Sequence, residues 1–386
     1  MAPPREASFQ EKLGRGDVRC TLCPHQCRIR EGGRGACAVR WNERGTLYTV
    51  VYDRAISRAI DPIEKKPLFH FYPGSYAYSV ATVGCNLRCA FCQNWEISQW
   101  PREFLPRSLA RAGAAGPTSL AAVADAVVGE PVRPEQLVQM AVATGCESIA
   151  YTYTEPTVFY ELTHDTAVLA RARGLRNVLV SNGFLSEAPL RQLAAVVDAV
   201  NVDLKFFTDE SYRRISRARL APILEAIRTY RALGVWVEVT TLVIPGVNDS
   251  DAELRGIAEF IRSVGPEIPW HVSQFHPAFQ MAAVPVTPVA TLRRAASIGE
   301  AAGLRYVYVG NVPGERGEST YCHRCRALLV ERRGFHVRAN RLVDGRCPRC
   351  ATPVDGVGMS PAPSEPQPPS IDRQRRLTGR RIEGGW

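Results

Sequence analysis

Three cysteines crowd the run Val83-Gly-Cys85-Asn-Leu-Arg-Cys89-Ala-Phe-Cys92-Gln-Asn-Trp95, at the end of a β-rich stretch. Thiolates at this spacing can hold three corners of an iron-sulfur cube, whereas a fully ligated 4Fe-4S cluster takes four. With no fourth cysteine nearby, one iron is left for a substrate or cofactor, and that asymmetry separates a catalyst from an electron carrier. The residues alone also allow a zinc site that borrows a distant ligand, or simply buried thiols.

Eleven of the twelve cysteines fall into three clusters, and only Cys146 stands apart, as an ordinary small core residue. Cys322-x2-Cys325 and Cys347-x2-Cys350 are separated by 21 residues that could form a hairpin, the spacing of a zinc ribbon. Metal binding can fold a segment too small to build its own core. A structural zinc is therefore expected there, with an auxiliary cluster as the alternative. Cys20, Cys23, Cys27 and Cys37 are less regularly spaced, and both zinc and a second iron-sulfur cluster remain open for them.

These residues must be positioned by regular elements, and from Tyr76 to Gly310 short β-rich runs alternate with helical stretches. Strands are predicted at Tyr76 to Gly84, Ser148 to Thr154, Asn177 to Val180, Ala199 to Leu204, Val235 to Val243 and Trp270 to Phe275, with a seventh at Arg305 to Val309. Helices are predicted at Leu162 to Arg173, Pro189 to Val197, Leu220 to Leu233, Ala252 to Val264 and Val289 to Ala302. Gly174, Gly234, Gly265 and Gly303 serve as stops. Six βα units favour a partial (β/α)6 TIM-like barrel, with a doubly wound open sheet as the alternative. Either way the functional loops lie at the carboxyl ends of parallel strands, where Cys85, Glu155, Asn182, Lys205 and His276 fall.

A chain of 386 residues, 45% hydrophobic, can bury a large core and still carry small appendages. The expected division is a Cys-rich segment over 1–75, a core over 76–314 with an inserted mobile loop at 101–134, a four-cysteine module over 315–359 and a disordered basic tail over 360–386. The net charge of +10 is peripheral, since residues 315–386 hold fourteen Arg against eight Asp or Glu. A solvated basic face is expected rather than a nucleic-acid partner. The opening residues have no apolar signal core and nowhere do eighteen apolar residues run together, so a cytoplasmic protein without a membrane partner is expected.

The trio, with Phe91 directly before its third cysteine, resembles the CxxxCxxC signature of radical S-adenosylmethionine enzymes. That resemblance implies an open iron chelated by S-adenosylmethionine, whose sulfonium bond is broken by one electron to release a 5′-deoxyadenosyl radical. An external flavodoxin-like or ferredoxin-like donor would supply the electron. Tyr153-Thr154-Glu155-Pro156 is similar to the Gly-Gly-Glu-Pro of glycyl-radical-enzyme activases, Ser181-Asn182-Gly183 to their Thr-Asn-Gly, and Val202-Asp203-Leu204-Lys205 to their Leu-Asp-Leu-Lys. By resemblance, Glu155 holds the cofactor's ammonium and Lys205 its carboxylate, while Asp203 orients that lysine or helps bind a monovalent cation. Val180 stands where the activases place an aspartate.

Phe275-His276-Pro277 resembles the activases' late Tyr-His and makes His276 a further candidate contact. The residues themselves also permit Glu155 as a helix start, Asn182 as a turn residue and His276 as a structural group. Cys20-x2-Cys23-Pro-His-x-Cys27 with Cys37, Asp61-Pro-Ile-Glu-Lys-Lys-Pro-Leu-Phe-His-Phe-Tyr-Pro-Gly74 and Gly310-Asn-Val-Pro-Gly314 together resemble the AmmeMemoRadiSam system radical enzymes, which are pyruvate formate-lyase activating enzyme-like. This implies association with Memo-like and AMMECR-like proteins and hydrogen abstraction from a protein or peptide. Modification of a small molecule or RNA, or a non-catalytic iron-sulfur or zinc scaffold, remains the alternative function.

Overall fold

The computed structural model describes residues 4–105, 119–312, 314 and 316–360. Its centre is an eight-stranded sheet made of β1 (Ser57–Pro62), β2 (Tyr76–Ala81), β3 (Ser148–Tyr151), β4 (Arg176–Ser181), β5 (Ala199–Asp203), β6 (Trp236–Val243), β7 (Trp270–Gln274) and β8 (Val307–Gly310). Neighbours in space are neighbours in sequence throughout. From β2 to β8 every pair is parallel, and only β1 runs antiparallel, with Asp61 opposite Ala77. The doubly wound alternative is corrected by this order: such a sheet reverses its direction of growth at a switch point, and this one does not.

Strands joined by right-handed crossovers in unbroken order carry their helices on one face. The helices are α1 (Pro134–Ala143), α2 (Tyr160–Ala172), α3 (Glu187–Ala194), α4 (Leu220–Ala232), α5 (Asp251–Val264) and α6 (Val289–Ala301). Strand alternation separates two cores accordingly. Tyr78, Ile149, Leu179 and Val200 point into the main core with Leu137, Leu162, Leu190 and Ile223 of the helices. The intervening residues Ala77, Ala150, Val178 and Ala199 face the other way and meet Ile63, Leu68 and Phe71. The segment between β1 and β2 therefore fills the face that the helices leave open.

Residues 57–62 were expected in an appendage and are instead an edge strand of the central sheet. The period-2 signal is weak because this edge carries Arg58 and ends in Pro62, both acceptable where one side lacks a β partner. The strands β2 and β3 also stop about three residues early, where the chain turns away into the loops described below. Within the insertion, Leu120–Ala126 is helical, capped by Ser119, and Glu130–Pro131 pairs with Arg54–Ala55, so this stretch carries regular structure. Residues 106–118 of the insertion and the tail, 361–386, lie outside the described residues.

The amino-terminal region forms two small antiparallel sheets. One joins Gln10–Lys12, Val18–Cys20 and Arg28–Ile29; the other joins Arg5–Glu6, Thr46–Thr49 and Arg40–Glu43. Arg40, 1% exposed, docks the region on α2 through Glu161 at 2.7 Å. At the other end, Leu328–Arg333 and His336–Asn340 form the expected hairpin, with Thr320–Tyr321 as a third strand. Its core is shared with Phe69, Tyr306 and Tyr308, so this module is packed onto the central sheet. Among the described residues no helix is long and apolar enough to cross a membrane.

Candidate functional site

Past β2 the chain leaves the sheet and wraps Cys85, Cys89 and Cys92 into a loop held from several sides. Arg88 N donates to Ser216 O at 2.9 Å and Ala90 N to Ile215 O at 3.0 Å, so a π-helical turn over Tyr212–Ser216 supports it from beneath. Gln280 N donates to Ala90 O at 2.9 Å and Gln93 Nε2 to His276 O at 3.0 Å, which fastens it to the loop after β7. Arg102 donates to the carbonyls of Cys85 and Leu87.

Each thiol has a polar neighbour suited to a thiolate. Leu87 N lies 3.4 Å from Cys85 Sγ, with Asn182 Nδ2 at 3.7 Å. Cys89 Sγ lies 3.1 Å from Ser216 Oγ, and Cys92 Sγ 3.3 Å from Ser98 Oγ. Burial pushes the Cys89 thiol up to about 11, with the Lys205 ammonium pulling against it. Burial raises Cys85 as well, and the Glu155 carboxylate adds to that. Cys89 is buried and Cys85 and Cys92 are partly so; thiols that ionise reluctantly alone, yet lie beside N–H, O–H and ammonium groups, fit as ligands to a cationic centre.

Glu155 is 2% exposed and binds the loop after β3 to the loop after β4. Its Oε1 accepts from Thr157 N, Thr157 Oγ1 and Ser181 Oγ, and Oε2 from Asn182 N at 2.8 Å. The helix-start reading of Glu155 is thus realised, through a short 3-10 turn over Pro156–Phe159. Asn182 places its Nδ2 2.9 Å from Asn86 Oδ1, and Asn86 Nδ2 donates to Phe184 O, so this loop is tied to the cysteine loop.

Tyr153 has φ +63, a conformation glycine adopts freely and a tyrosine adopts at a cost. Three contacts hold it there: Asn94 Nδ2 donates to Tyr153 O at 2.8 Å, the phenol donates to Asp61, and Lys66 Nζ lies 4.6 Å from the ring centroid. The backbone path that the activase motif assigns to glycine is therefore taken here by an anchored aromatic residue.

Lys205 Nζ donates to Asp203 at 2.8 Å and lies 5.8 Å from the Phe91 centroid. The adjacent carboxylate keeps Lys205 charged, its pKa raised despite burial. Its carbonyl accepts from Asn248 Nδ2 at 2.7 Å, whose Oδ1 in turn accepts from Ile244 N. Phe91 is buried edge-on against Phe206. His276 is exposed and contributes its carbonyl, with no side-chain bond among the described residues. The trio, Phe91, Glu155, Asn182, Asp203 and Lys205 thus converge, and His276 borders them.

Sequence reasoning missed the contacts of Ser98, Ser216, Asn86 and Arg102, because none of these residues belongs to a ligand spacing. It also missed Asp61, whose carboxylate accepts from Lys66 Nζ at 2.6 Å and Ser79 Oγ at 2.7 Å. Lys66 and the other donors hold that carboxyl below its ordinary range against the cost of burial.

In the carboxy-terminal quartet, one ligand atom from each of Cys322, Cys325, Cys347 and Cys350 lies within 4.8 Å of the others. Cys322 and Cys350 sulfurs are 3.6 Å apart, as are those of Cys325 and Cys347. An ion bound tetrahedrally at about 2.3 Å would set its sulfurs about 3.8 Å apart. The donor set fits one such ion.

Residues 79–255 match the Radical SAM superfamily model. A protein of uncharacterised function from Methanocaldococcus jannaschii is 44% identical over 356 residues, 92% of this chain and 99% of the relative. The benzylsuccinate synthase activating enzyme of Thauera aromatica is 26% identical over 145 residues, 36% of this chain and 44% of that protein. A domain of a pyruvate-formate lyase-activating enzyme from Bacteroides vulgatus aligns with 42% of this chain and 99% of its own length, at 14% identity and a TM-score of 0.37.

Proposed function

We propose that the chain, whose residues 79–255 match the Radical SAM superfamily model, abstracts a hydrogen atom from a protein or peptide, in the manner of a glycyl-radical-enzyme activase. The superfamily implies a 4Fe-4S cluster and S-adenosylmethionine, and Cys85, Cys89 and Cys92 would hold the cluster. Bound together, the two supply a 5′-deoxyadenosyl radical. The observation that carries the reading is the convergence of loops from successive parallel strands on the three thiols of Cys85, Cys89 and Cys92.

The chain's own residues bind, orient and exclude water. Lys205, kept charged by Asp203, would meet the cofactor's carboxylate. Glu155 would meet its ammonium through Oε2, which carries only the Asn182 N–H among the described residues. Ser216 Oγ, Ser98 Oγ and Asn182 Nδ2 stand beside the three sulfurs, and the buried Phe91 would help exclude water. His276 would close the rim from the loop after β7. A curved, partial-barrel shape for the sheet belongs to this reading, as do a flavodoxin-like or ferredoxin-like donor and Memo-like and AMMECR-like partners. The carboxy-terminal quartet would hold a structural zinc.

Anaerobic reconstitution with iron and sulfide tests the function. With S-adenosylmethionine and dithionite the protein should release 5′-deoxyadenosine, and Cys89→Ala should abolish it. Deuterium carried from a labelled peptide into 5′-deoxyadenosine would support the substrate class. Reversible reduction without any cleavage product would sink the reading.

A further inference from the structure

We propose that Cys20, Cys23, Cys27 and Cys37 hold a second, fully ligated 4Fe-4S cluster that passes electrons inward to the centre at Cys85, Cys89 and Cys92. The inference rests on the reading above for the electron's destination, and on separate geometry for the site.

The amino-terminal quartet is built into the wall of the cysteine loop. His25, between Cys23 and Cys27, has Nε2 2.8 Å from Asn86 O and its ring edge-on to Phe184 at 5.0 Å. Arg102 donates to Ala36 O at 2.8 Å while its other nitrogens reach Leu87 O and Cys85 O. One guanidinium thus links the residue before Cys37 to Cys85 itself. At Gly84 an added Cβ would stand 3.4 Å from Cys37 O and 2.8 Å from Val39 Cγ1. The two cysteine segments are in direct contact.

A cluster explains the shape of this site better than a single ion. The carboxy-terminal quartet gathers its ligand atoms within 4.8 Å, and neither the amino-terminal quartet nor the trio does. A cube binds one thiolate at each of four separate irons, so its sulfurs stand farther apart than those around one zinc. The site is nevertheless held together by its backbone: Cys20 N donates to Cys27 O at 2.9 Å and Gln26 N to Cys23 O at 3.0 Å. Ala36 N lies 3.4 Å from Cys27 Sγ.

Each set has one buried cysteine, Cys20 or Cys89, and partly exposed ones beside it, so the direction follows from the trio being, on the reading above, where the electron is spent. A low-potential carrier protein can reach the outer site, where it would be oxidised by one electron as the outer cluster is reduced. That electron then moves to the inner cluster, leaving the outer one oxidised again, with no proton or atom transferred.

The test counts metals in the anaerobically reconstituted full chain. Wild type should hold about eight iron atoms and the Cys85→Ala/Cys89→Ala/Cys92→Ala variant about four, with matching sulfide. The variant's reduced cluster should give an electron paramagnetic resonance signal indifferent to S-adenosylmethionine. Cys23→Ala/Cys27→Ala should also hold about four irons, but with a signal that shifts on adding the cofactor. Zinc in place of iron in the trio variant, or no metal at the quartet, overturns the proposal. Because the trio variant keeps the quartet intact, that outcome is independent of whether the inner centre binds S-adenosylmethionine. If the quartet cluster forms and wild type shows no response to the cofactor, the functional reading fails and the second cluster stands.

Discussion

At the residue scale, the chemistry depends on charges that burial would otherwise suppress. Lys66 and Asp61 are both almost wholly buried and face each other at 2.6 Å. Removing one partner of such a pair strands the other, so Lys66→Met should lower unfolding free energy by about 3–5 kcal/mol. Urea denaturation checks this, and a loss within the error of that measurement would mean the pair contributes nothing. Glu155→Gln places an amide where four donors converge, leaving at least one without an acceptor. On the proposed function it also loses a charge-assisted contact of about 1.5–3 kcal/mol, hence roughly tenfold to hundredfold weaker S-adenosylmethionine binding by titration of the reduced cluster. Tyr153 was legible as part of a motif but not as a strained residue, because nothing in its neighbours spells out Asp61, ninety-two positions earlier.

At the scale of elements, the parallel sheet was the most legible part. Alternating β and helical runs with glycine stops placed strands β2 to β8 and helices α2 to α6 to within a few residues, whereas α1 and the helix Leu120–Ala126 before it were missed. The edge strand β1 and the small amino-terminal sheets were not legible: two-residue to six-residue strands give too short a period, and their pairing is set by contacts rather than pattern. The cysteine trio was found by its spacing and Glu155, Asn182 and Lys205 by motifs at the ends of successive strands, whereas Ser98 and Ser216 belong to no motif. The join between the two cysteine segments can be probed at Gly84, whose φ of +104 and lack of side chain permit the close approach. Gly84→Ala should cost about 1–3 kcal/mol through overpacking against Val39. Its iron content after reconstitution should fall with it; full iron loading and unchanged stability would show that the approach is not required.

At the scale of the whole molecule, residues 61–74 join three regions. Glu238 of β6 accepts from Phe69 N, His70 N and His271, and Arg332 of the carboxy-terminal hairpin donates to Phe69 O at 2.7 Å. His70 Nδ1 lies 2.6 Å from Asp355 O and Nε2 2.5 Å from the Tyr308 hydroxyl. Burial lowers the His70 pKa from 6.5 to about 4, so the folded protein favours the neutral ring. The unfolded chain then binds more protons between those values, and stability is lost as pH falls from about 6.5 through 4, by about 3 kcal/mol. His70→Gln should flatten that part of a stability profile measured by thermal melts. Asp61, with its depressed pKa, contributes stability that is lost only below about pH 4. Because the hairpin shares its core with Phe69, Tyr306 and Tyr308, Cys350→Ser should lower the melting temperature of the central sheet too. A separate, earlier melting step for the hairpin alone would contradict this.

The support of the cysteine loop by Ser216 and Ile215 has a consequence for biogenesis. A nascent chain displays all three thiols more than a hundred residues before the turn that seats them has been synthesised. Until then they are tethered to a flexible polypeptide, open to oxidation and to whichever metal arrives first. Iron delivery must therefore wait on translation and on the closing of most of the sheet, and a ribosome-bound fragment ending before residue 212 should be a poor recipient for it.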